Sequence, residues 1–389
     1  MADRGNAREV GLATIARDWG RMGVTGFGGP PAHIALLRRL CVQDRGWLSA
    51  AEFEDGIAAT NLLPGPASTQ LAIFCAWRLR GMVGALVGGL CFICPGLALI
   101  VALSAVFLAS DPPRWVLGAA AGASAAVPAV AVSAAVGLIP ASWRRVGADR
   151  ARRARWVAYL LAGGIAAAVT GPFLVLVLIG CGLIEVAVRR PVDDARNRSG
   201  AAVAATVLPV AGGIASLVWV AFKVGALSYG GGFVIIPLMQ HDAVHTYHWM
   251  TAGQFLDAVA LGQVTPGPVV LTVSAVGYAA AGVGGALLAA LVAFAPSFAF
   301  IMAGAPHFDR LRANHTMQAF LTGAGACAIG AIGGASISLG LSLSQLWQVP
   351  VLALVAAWLL ALRKPVVPGI LAAAAIGIAA ALAGLPVGH

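Results

Sequence analysis

The chain has 389 residues, of which 60% are hydrophobic and 10% are charged, and its mean hydropathy is +0.88. Soluble domains carry about 25% charged residues, so this composition excludes an ordinary soluble protein and predicts a polytopic membrane protein. The net charge of +10 comes from basic residues in short connections between apolar runs, which is typical of membrane topology, and we expect no nucleic-acid partner.

Apolar runs of spanning length follow one another along the chain. A membrane helix needs roughly 20 apolar residues, and the runs that reach this length are 82–109, 115–140, 201–222, 282–306, 315–342 and 366–386. Shorter runs are counted with them at 156–170, 172–188 and 350–362. Together they predict about nine full crossings, all of them helical.

The segment ATNLLPGPAST, at residues 59–69, precedes the first of these runs. Proline costs about 3 kcal/mol in a helix interior and glycine about 1 kcal/mol. Proline also lacks a backbone N–H, and glycine readily adopts positive φ. Pro64, Gly65 and Pro66 therefore predict a break at which one half-helix ends and another begins.

The same break recurs in the second half of the chain, where residues 225–268 align with residues 23–66 without a gap. The aligned pairs include Gly28 with Gly230, Gly29 with Gly231, Trp47 with Trp249, Asp55 with Asp257, Pro64 with Pro266, Gly65 with Gly267 and Pro66 with Pro268. We interpret the chain as a duplicated module. Its parts are an N-terminal repeat at 1–188, a charged cytoplasmic linker at 189–200 and a C-terminal repeat at 201–389.

The arginines indicate how the two halves are oriented, because short cytoplasmic loops collect Lys and Arg. Arginine clusters at 144–155 and 189–198 predict cytoplasmic loops, whereas the loop QHDAVHTYHWMTAGQ of the second half has neither Lys nor Arg. This distribution favours halves of opposite topology. The expected fold is an all-α polytopic membrane protein built as an inverted repeat. It has about 9 to 12 membrane segments, including re-entrant hairpins broken by proline and glycine.

Inverted repeats with broken helices are typical of secondary transporters, which bind substrate near the midplane. The start of a half-helix presents free N–H groups and a positive dipole end, which together bind anions. A glycine-rich break precedes each PGP segment and also lets the backbone approach a ligand. The predicted anion-binding residues are Gly28, Gly29, Pro30, Asn61, Pro64, Gly65, Pro66, Gln70, Lys223, Ser228, Gly230, Gly231, Gly232, Gln263, Pro266, Gly267 and Pro268.

Charged residues near the breaks are functional candidates, since ionisable groups inside a membrane are costly. Asp55 and Asp257 occupy equivalent positions and are interpreted as a coupling or gating pair; helix capping is the alternative for Asp55. Arg78 and Arg80 are candidates for an anion entry or for topology anchors. Lys223 either attracts an anion or extends its side chain to the interface. We expect no metal ion and no cofactor.

Two pairs of motifs resemble a known family. GFGGPPAHI followed by LLPGPASTQLA, and KVGALSYGGGFVIIP followed by ALGQVTPGPV, resemble both halves of the bidomain chromate ion transporter family. The resemblance implies a bacterial inner-membrane carrier that exports chromate and confers chromate resistance, with sulfate as a related oxyanion. It also implies transport driven by the membrane potential or a proton gradient, and halves of opposite topology.

Two alternatives remain open at this point. One is a carrier of sulfate or another oxyanion, because chromate and sulfate are both tetrahedral dianions. The other is a membrane-embedded enzyme acting on lipid or phosphate esters, which would need a nucleophile, a base or a metal cluster at one depth. The expected partners of the carrier are chromate or sulfate and the lipid bilayer. Protons are the candidate coupling ion, and a homodimer is the candidate assembly.

Overall fold

The computed structural model describes residues 10–61, 63–109, 111–169, 174–189, 212–228, 235–304 and 314–387. Across these ranges the chain forms fourteen α-helices and no β-strand. The first half contains α1 (Leu12–Thr25), α2 (Gly29–Arg38), α3 (Ala50–Thr60), α4 (Ala67–Phe107), α5 (Arg114–Val146), α6 (Arg150–Val169) and α7 (Leu174–Arg189). The second half contains α8 (Ile214–Leu227), α9 (Ile235–Gln240), α10 (Ala252–Val264), α11 (Thr272–Gly304), α12 (His315–Leu341), α13 (Gln348–Ala356) and α14 (Val366–Leu382). The all-α prediction is confirmed.

Irregular elements recur at the offset of the repeat. A π-helical turn at Arg39–Asp44 extends α2, and its counterpart at His241–Thr246 extends α9. The helices that enter the PGP breaks both begin with a capping box, formed by Ser49 with Glu52 in α3 and by Thr251 with Gln254 in α10. A cap and a π turn are set by local sequence, so the duplication carries them into both halves.

The PGP segments join half-helices, as predicted. α3 ends at Thr60 and α4 begins at Ala67; α10 ends at Val264, and a short 3₁₀ turn at Val269–Leu271 leads into α11. The two arms lie side by side, because a β-carbon on Gly56 of α3 would collide with the Phe74 ring of α4. At 1.5 Å per residue α3 is only about 16 Å long, too short for a hydrocarbon core of about 30 Å.

α4 and α11 each turn sharply before they run on as long helices. Gly81 and Gly282 have φ of 58° and 61°, and the neighbouring residues also leave helical geometry. Beyond the turn the chain folds back, since Gly84 packs against the backbone carbonyl of Ala76. The sequence predicts separate crossings at 82–109 and 282–306, and these turns are where the crossings begin.

The two halves are inverted relative to each other. α5 and α12 are equivalent helices, yet the end of α5 around Arg145 and the beginning of α12 around Thr322 line the same cavity. They therefore run in opposite directions. The halves also interlock: α12 packs on α6 and α7, while α5 packs on α13 and α14. Glycines permit these approaches, as where Gly118 and Gly122 meet Gly377.

Within the described ranges, four helices are long and apolar enough to cross a membrane: Ala67–Phe107, Arg114–Val146, Val269–Gly304 and His315–Leu341. Ile214–Leu227, Gln348–Ala361 and Val366–Leu382 are shorter and also apolar. The crossing predicted at 201–222 differs in position, because α8 begins at Ile214 and ends at Leu227, where the second glycine-rich break starts; residues 201–211 lie outside the described ranges. The predicted linker, from residue 190 to 200, also lies outside them.

Candidate functional site

Reciprocal hydrogen bonds join the broken segments of the two halves. The Gly65 N–H donates to the Ser228 carbonyl, and the Gly267 N–H donates to the Gly26 carbonyl, each at 2.9 Å. Gly65 and Gly267 have φ of 126° and 100°, which only glycine adopts without strain. Each PGP loop is therefore held against the end of the first helix of the opposite half, at two equivalent crossings.

A cavity of about 380 Å³ lies between these crossings. Three helix beginnings line it: Gly28 to Pro30 at the start of α2, Ala67 at the start of α4, and Val269 at the turn leading into α11. Helix beginnings carry a partial positive charge and free N–H groups, so their convergence favours an anion. Pro30 and Pro31 have no N–H, so α2 contributes mainly its dipole.

Two equivalent amide side chains, Asn61 and Gln263, also line this cavity. Gln263 Nε2 is buried and has no hydrogen-bond partner among the described residues. An unpaired buried amide donor is costly unless it meets a ligand or water. Ser133 adds a hydroxyl, and the remaining wall is apolar, with Val130 and Leu138 as examples.

A second cavity of about 150 Å³ continues from the first, with Asn61, Ala67 and Leu138 in both linings. It lies between the α3 tip at Thr60, the end of α5 and the beginning of α12. Arg145 lies on its wall, so the cavity has a cation at its outer end. In the sequence, Arg145 is only an indicator of topology, because the sequence alone does not show that α5 ends beside the PGP loop.

The corresponding region of the second half is closed. Asp257 of α10 is buried and hydrogen-bonds to Ser124 of α5, and Gln348 Nε2 donates to the Ala121 carbonyl at 2.8 Å. Asp55, which is equivalent to Asp257, is exposed on α3. The predicted pair thus has two environments in one structure, one closed and one open.

Lys223 and the predicted entry arginines lie in ion pairs or turns away from the two cavity linings. Lys223 Nζ is 2.6 Å from Asp242 Oδ2, and both side chains are largely buried. Arg78 pairs with Glu52 near the start of α3. The pKa of Glu52 is lowered, mainly because its carboxylate accepts a hydrogen bond from the Ser49 backbone N–H. Arg80 lies at the sharp turn of α4. These contacts fit roles in holding α8 and α3 in place.

The remaining predicted residues are distributed around the crossings. Gln70 is buried and its Nε2 donates to the Pro64 carbonyl at 2.7 Å, so it covers the PGP loop. Pro66 precedes α4, while Pro266 and Pro268 flank Gly267 in a fully buried loop. The predicted residues Gly230, Gly231 and Gly232 lie outside the described residues.

His33 is a buried residue of the crossing that is absent from the predicted anion-binding set. Its Nε2 lies 2.9 Å from the Gly26 carbonyl, so this nitrogen carries a proton and donates it, and its Nδ1 lies 3.3 Å from Ser68 Oγ. The Gly26 carbonyl thereby receives two donors, from His33 and Gly267. The GGPP context places His33 one turn after the break, which is the sequence signal for this position.

Known proteins resemble this chain over most of its length. The family model described as "Chromate transporter" matches residues 13–186 and 215–382. A "Chromate transport protein" of Cupriavidus metallidurans is 35% identical over 328 residues, which cover 82% of this chain and 80% of the relative. A protein of the same name from Pseudomonas aeruginosa is 33% identical over 346 residues, with 82% and 79% covered.

A "Probable chromate transport protein" of Synechococcus elongatus is 29% identical over 362 residues, which cover 89% of each chain. No solved structure matches the chain. These relatives support transport and not catalysis. Because the family model matches both halves, the chain belongs to the chromate transporter family and is a multi-pass membrane protein.

Proposed function

We propose that this protein is a secondary transporter that exports chromate across the bacterial inner membrane and thereby confers chromate resistance. The observation that carries the proposal is the cavity on which the beginnings of α2, α4 and α11 converge. Relatives of this chain are named chromate transport proteins, which supports chromate as the substrate. Sulfate or another oxyanion is the alternative, since backbone dipoles favour any tetrahedral dianion.

The anion would be held between the two PGP loops. An isolated charge in an apolar medium is very costly, so the site must replace the water around it. Three helix beginnings supply positive potential, and Asn61 with Gln263 supplies amide donors from the two halves. Binding by dipoles and neutral donors would hold a dianion firmly enough to select it and weakly enough to release it.

Alternating access follows from the inverted repeat. On one side the second cavity, which we call the Arg145 cavity, reaches the α3 tip, and the arginine distribution favours a cytoplasmic location for this side. On the other side Ser124 and Asp257 hold α10 against α5. In the alternative state α10 would separate from α5 and open a cavity on that side, while α3 would pack against its neighbours and close the Arg145 cavity. A proton taken up or released by Asp257 would tie this exchange to a proton gradient.

Expression in a chromate-sensitive bacterium tests the proposal. Cells producing the wild-type protein should survive higher chromate and accumulate less of it than cells without the protein. The double substitution of Asn61→Ala with Gln263→Ala should remove this protection, because both amide donors are lost while the backbone is kept. Protein abundance in the membrane should be measured alongside.

The whole-cell experiment also separates the substrates. If excess sulfate abolishes the difference in chromate accumulation, both anions use the site; if sulfate has no effect, the site selects chromate. Equal chromate accumulation in cells with and without the protein, at matched membrane abundance, would contradict the substrate assignment. If the double variant still protects the cells, the cavity lined by Asn61 and Gln263 is not the anion-binding site.

Arg145→Gln should weaken transport chiefly through substrate capture. Loss of the cation at the outer end of the Arg145 cavity should raise the KM for chromate in membrane vesicles about tenfold, with little change in maximal rate. Arg144→Gln is the matched control, because Arg144 belongs to the same cluster but does not line the cavity. Equal KM changes in both variants would show that Arg145 acts only through the overall charge of the loop.

A further inference from the structure

We propose that the crossing at Gly65 and Ser228 contains a binding site for a sodium ion, beside the second cavity, which Gly65 also lines. The site is formed by Gln70 Oε1, Ser228 Oγ, Ser297 Oγ and nearby backbone carbonyls. These side-chain oxygens are buried and have no hydrogen-bond partner among the described residues. Buried unsatisfied polar atoms are rare in folded proteins and call for an occupant.

Two of the three side chains that carry these oxygens, Gln70 and Ser297, lie against the Gly65 backbone. A β-carbon built on Gly65 would collide with Gln70 Nε2 and would lie 3.1 Å from Ser297 Oγ. The Gly65 N–H is already bonded to the Ser228 carbonyl at 2.9 Å, and Gln70 Nε2 is already bonded to the Pro64 carbonyl at 2.7 Å. The Gly65 N–H and one hydrogen of the Gln70 side-chain amide are therefore used, whereas Gln70 Oε1 and Ser297 Oγ have no partner among the described residues.

Two helix ends contribute partial negative charge near the proposed ligands. α8 ends at Leu227 with Ser228 as its C-cap, and α3 ends at Thr60, shortly before the loop. The last carbonyls of a helix lack intrahelical partners and carry a partial negative charge. Carbonyls at unwound helix ends are known sodium ligands in membrane carriers. Neutral ligands of this kind suit a monovalent cation better than Ca²⁺, which favours carboxylates.

The crossing at Gly267 and Gly26 has a hydrogen-bond donor that the crossing at Gly65 and Ser228 does not have at the equivalent position. There the Gly26 carbonyl receives a second donor from His33, whose equivalent in the second half is Ile235. Ser297 likewise corresponds to Gly96, so the second crossing has no hydroxyl at that position. The His33 N–H thus satisfies an oxygen at the crossing of Gly267 and Gly26. A bound cation would satisfy the oxygens at the crossing of Gly65 and Ser228. The site occurs once in a duplicated molecule.

Thermal unfolding of the purified full-length chain tests the sodium site. The protein in detergent is heated in NaCl, KCl or choline chloride at constant ionic strength and without any oxyanion, and tryptophan fluorescence is recorded. We expect NaCl to raise the midpoint saturably, because an ion that binds only the folded state stabilises it. Since no chromate is present, failure of this test is distinct from failure of the proposed transport function.

Ser297→Ala should lower the apparent sodium affinity about tenfold, in the range measured when one supporting group of a metal site is lost. Ser104→Ala is the matched control, because Ser104 Oγ is also buried without a partner among the described residues but lies near the end of α4. A sodium response that persists in Ser104→Ala and weakens in Ser297→Ala supports the site. Equal midpoints in all three salts, equal responses to NaCl and KCl, or the same loss in both variants would overturn it.

Discussion

Asp257→Asn should uncouple transport while leaving the protein folded. Asparagine keeps the volume of the side chain and a hydrogen bond to Ser124, but it cannot take up or release a proton. In vesicles with an imposed pH gradient we expect chromate transport by the variant to fall at least about tenfold and to become insensitive to the gradient. Chromate binding at equilibrium should stay within about threefold of wild type, because Asp257 is absent from the cavity linings.

The control is Asp149→Asn, which makes the same chemical change at an exposed aspartate paired with Arg152. It should transport like the wild-type protein. If Asp257→Asn retains a normal response to the pH gradient, the carboxyl group holds α10 against α5 without carrying the coupling proton. If Asp257→Asn loses chromate binding and transport together, Asp257 belongs to the binding site and the proposed gate is wrong.

Gly65→Ala should impair both stability and transport. Gly65 has φ of 126°, and a β-carbon there would meet the Gln70 amide that covers the loop. Backbone strain of this kind costs on the order of 1–3 kcal/mol, so the free energy of unfolding should fall by about that amount. Because the same loop carries the beginning of α4 into the cavity, chromate transport should be lost as well. Thermal unfolding and vesicle transport measure the two effects.

Gly284→Ala is the matched control for the glycine at the crossing. Gly284 lies within α11 after its sharp turn, and a β-carbon added there would meet no atom within 4 Å. Alanine should be neutral or slightly stabilising at this position, since it favours helix more than glycine does. Equal stability and transport in both variants would show that the PGP loop tolerates a side chain and that its conformation is not needed.

The sequence was sufficient for elements that depend on local chemistry. Pro64, Gly65 and Pro66 remove a donor and permit positive φ, so the break between α3 and α4 was predictable from these residue types alone. The recurrence of the same residues around Gly267 predicted the second break, and the arginine distribution predicted the inversion that α5 and α12 show. These inferences needed no knowledge of which helices touch.

Contacts between the halves were not predictable in the same way. The pairing of Lys223 with Asp242 depends on how α8 lies against the turn after α9, and the place of Arg145 depends on where α5 ends in space. The sequence also predicts the same role for Asp55 and Asp257, because they occupy equivalent positions in the two repeats. Their different burial arises because the two halves adopt different arrangements in one structure, which no repeat pattern can indicate.

Transport of chromate by the purified protein in sealed liposomes is the most direct test of the proposed export function. The protein is reconstituted, a membrane potential or pH gradient is imposed, and chromate movement is followed over time with and without excess sulfate. We expect saturable, gradient-driven chromate movement that the double substitution of Asn61→Ala with Gln263→Ala abolishes. Chromate movement no faster than in liposomes without protein, under either gradient, would contradict the proposed export of chromate.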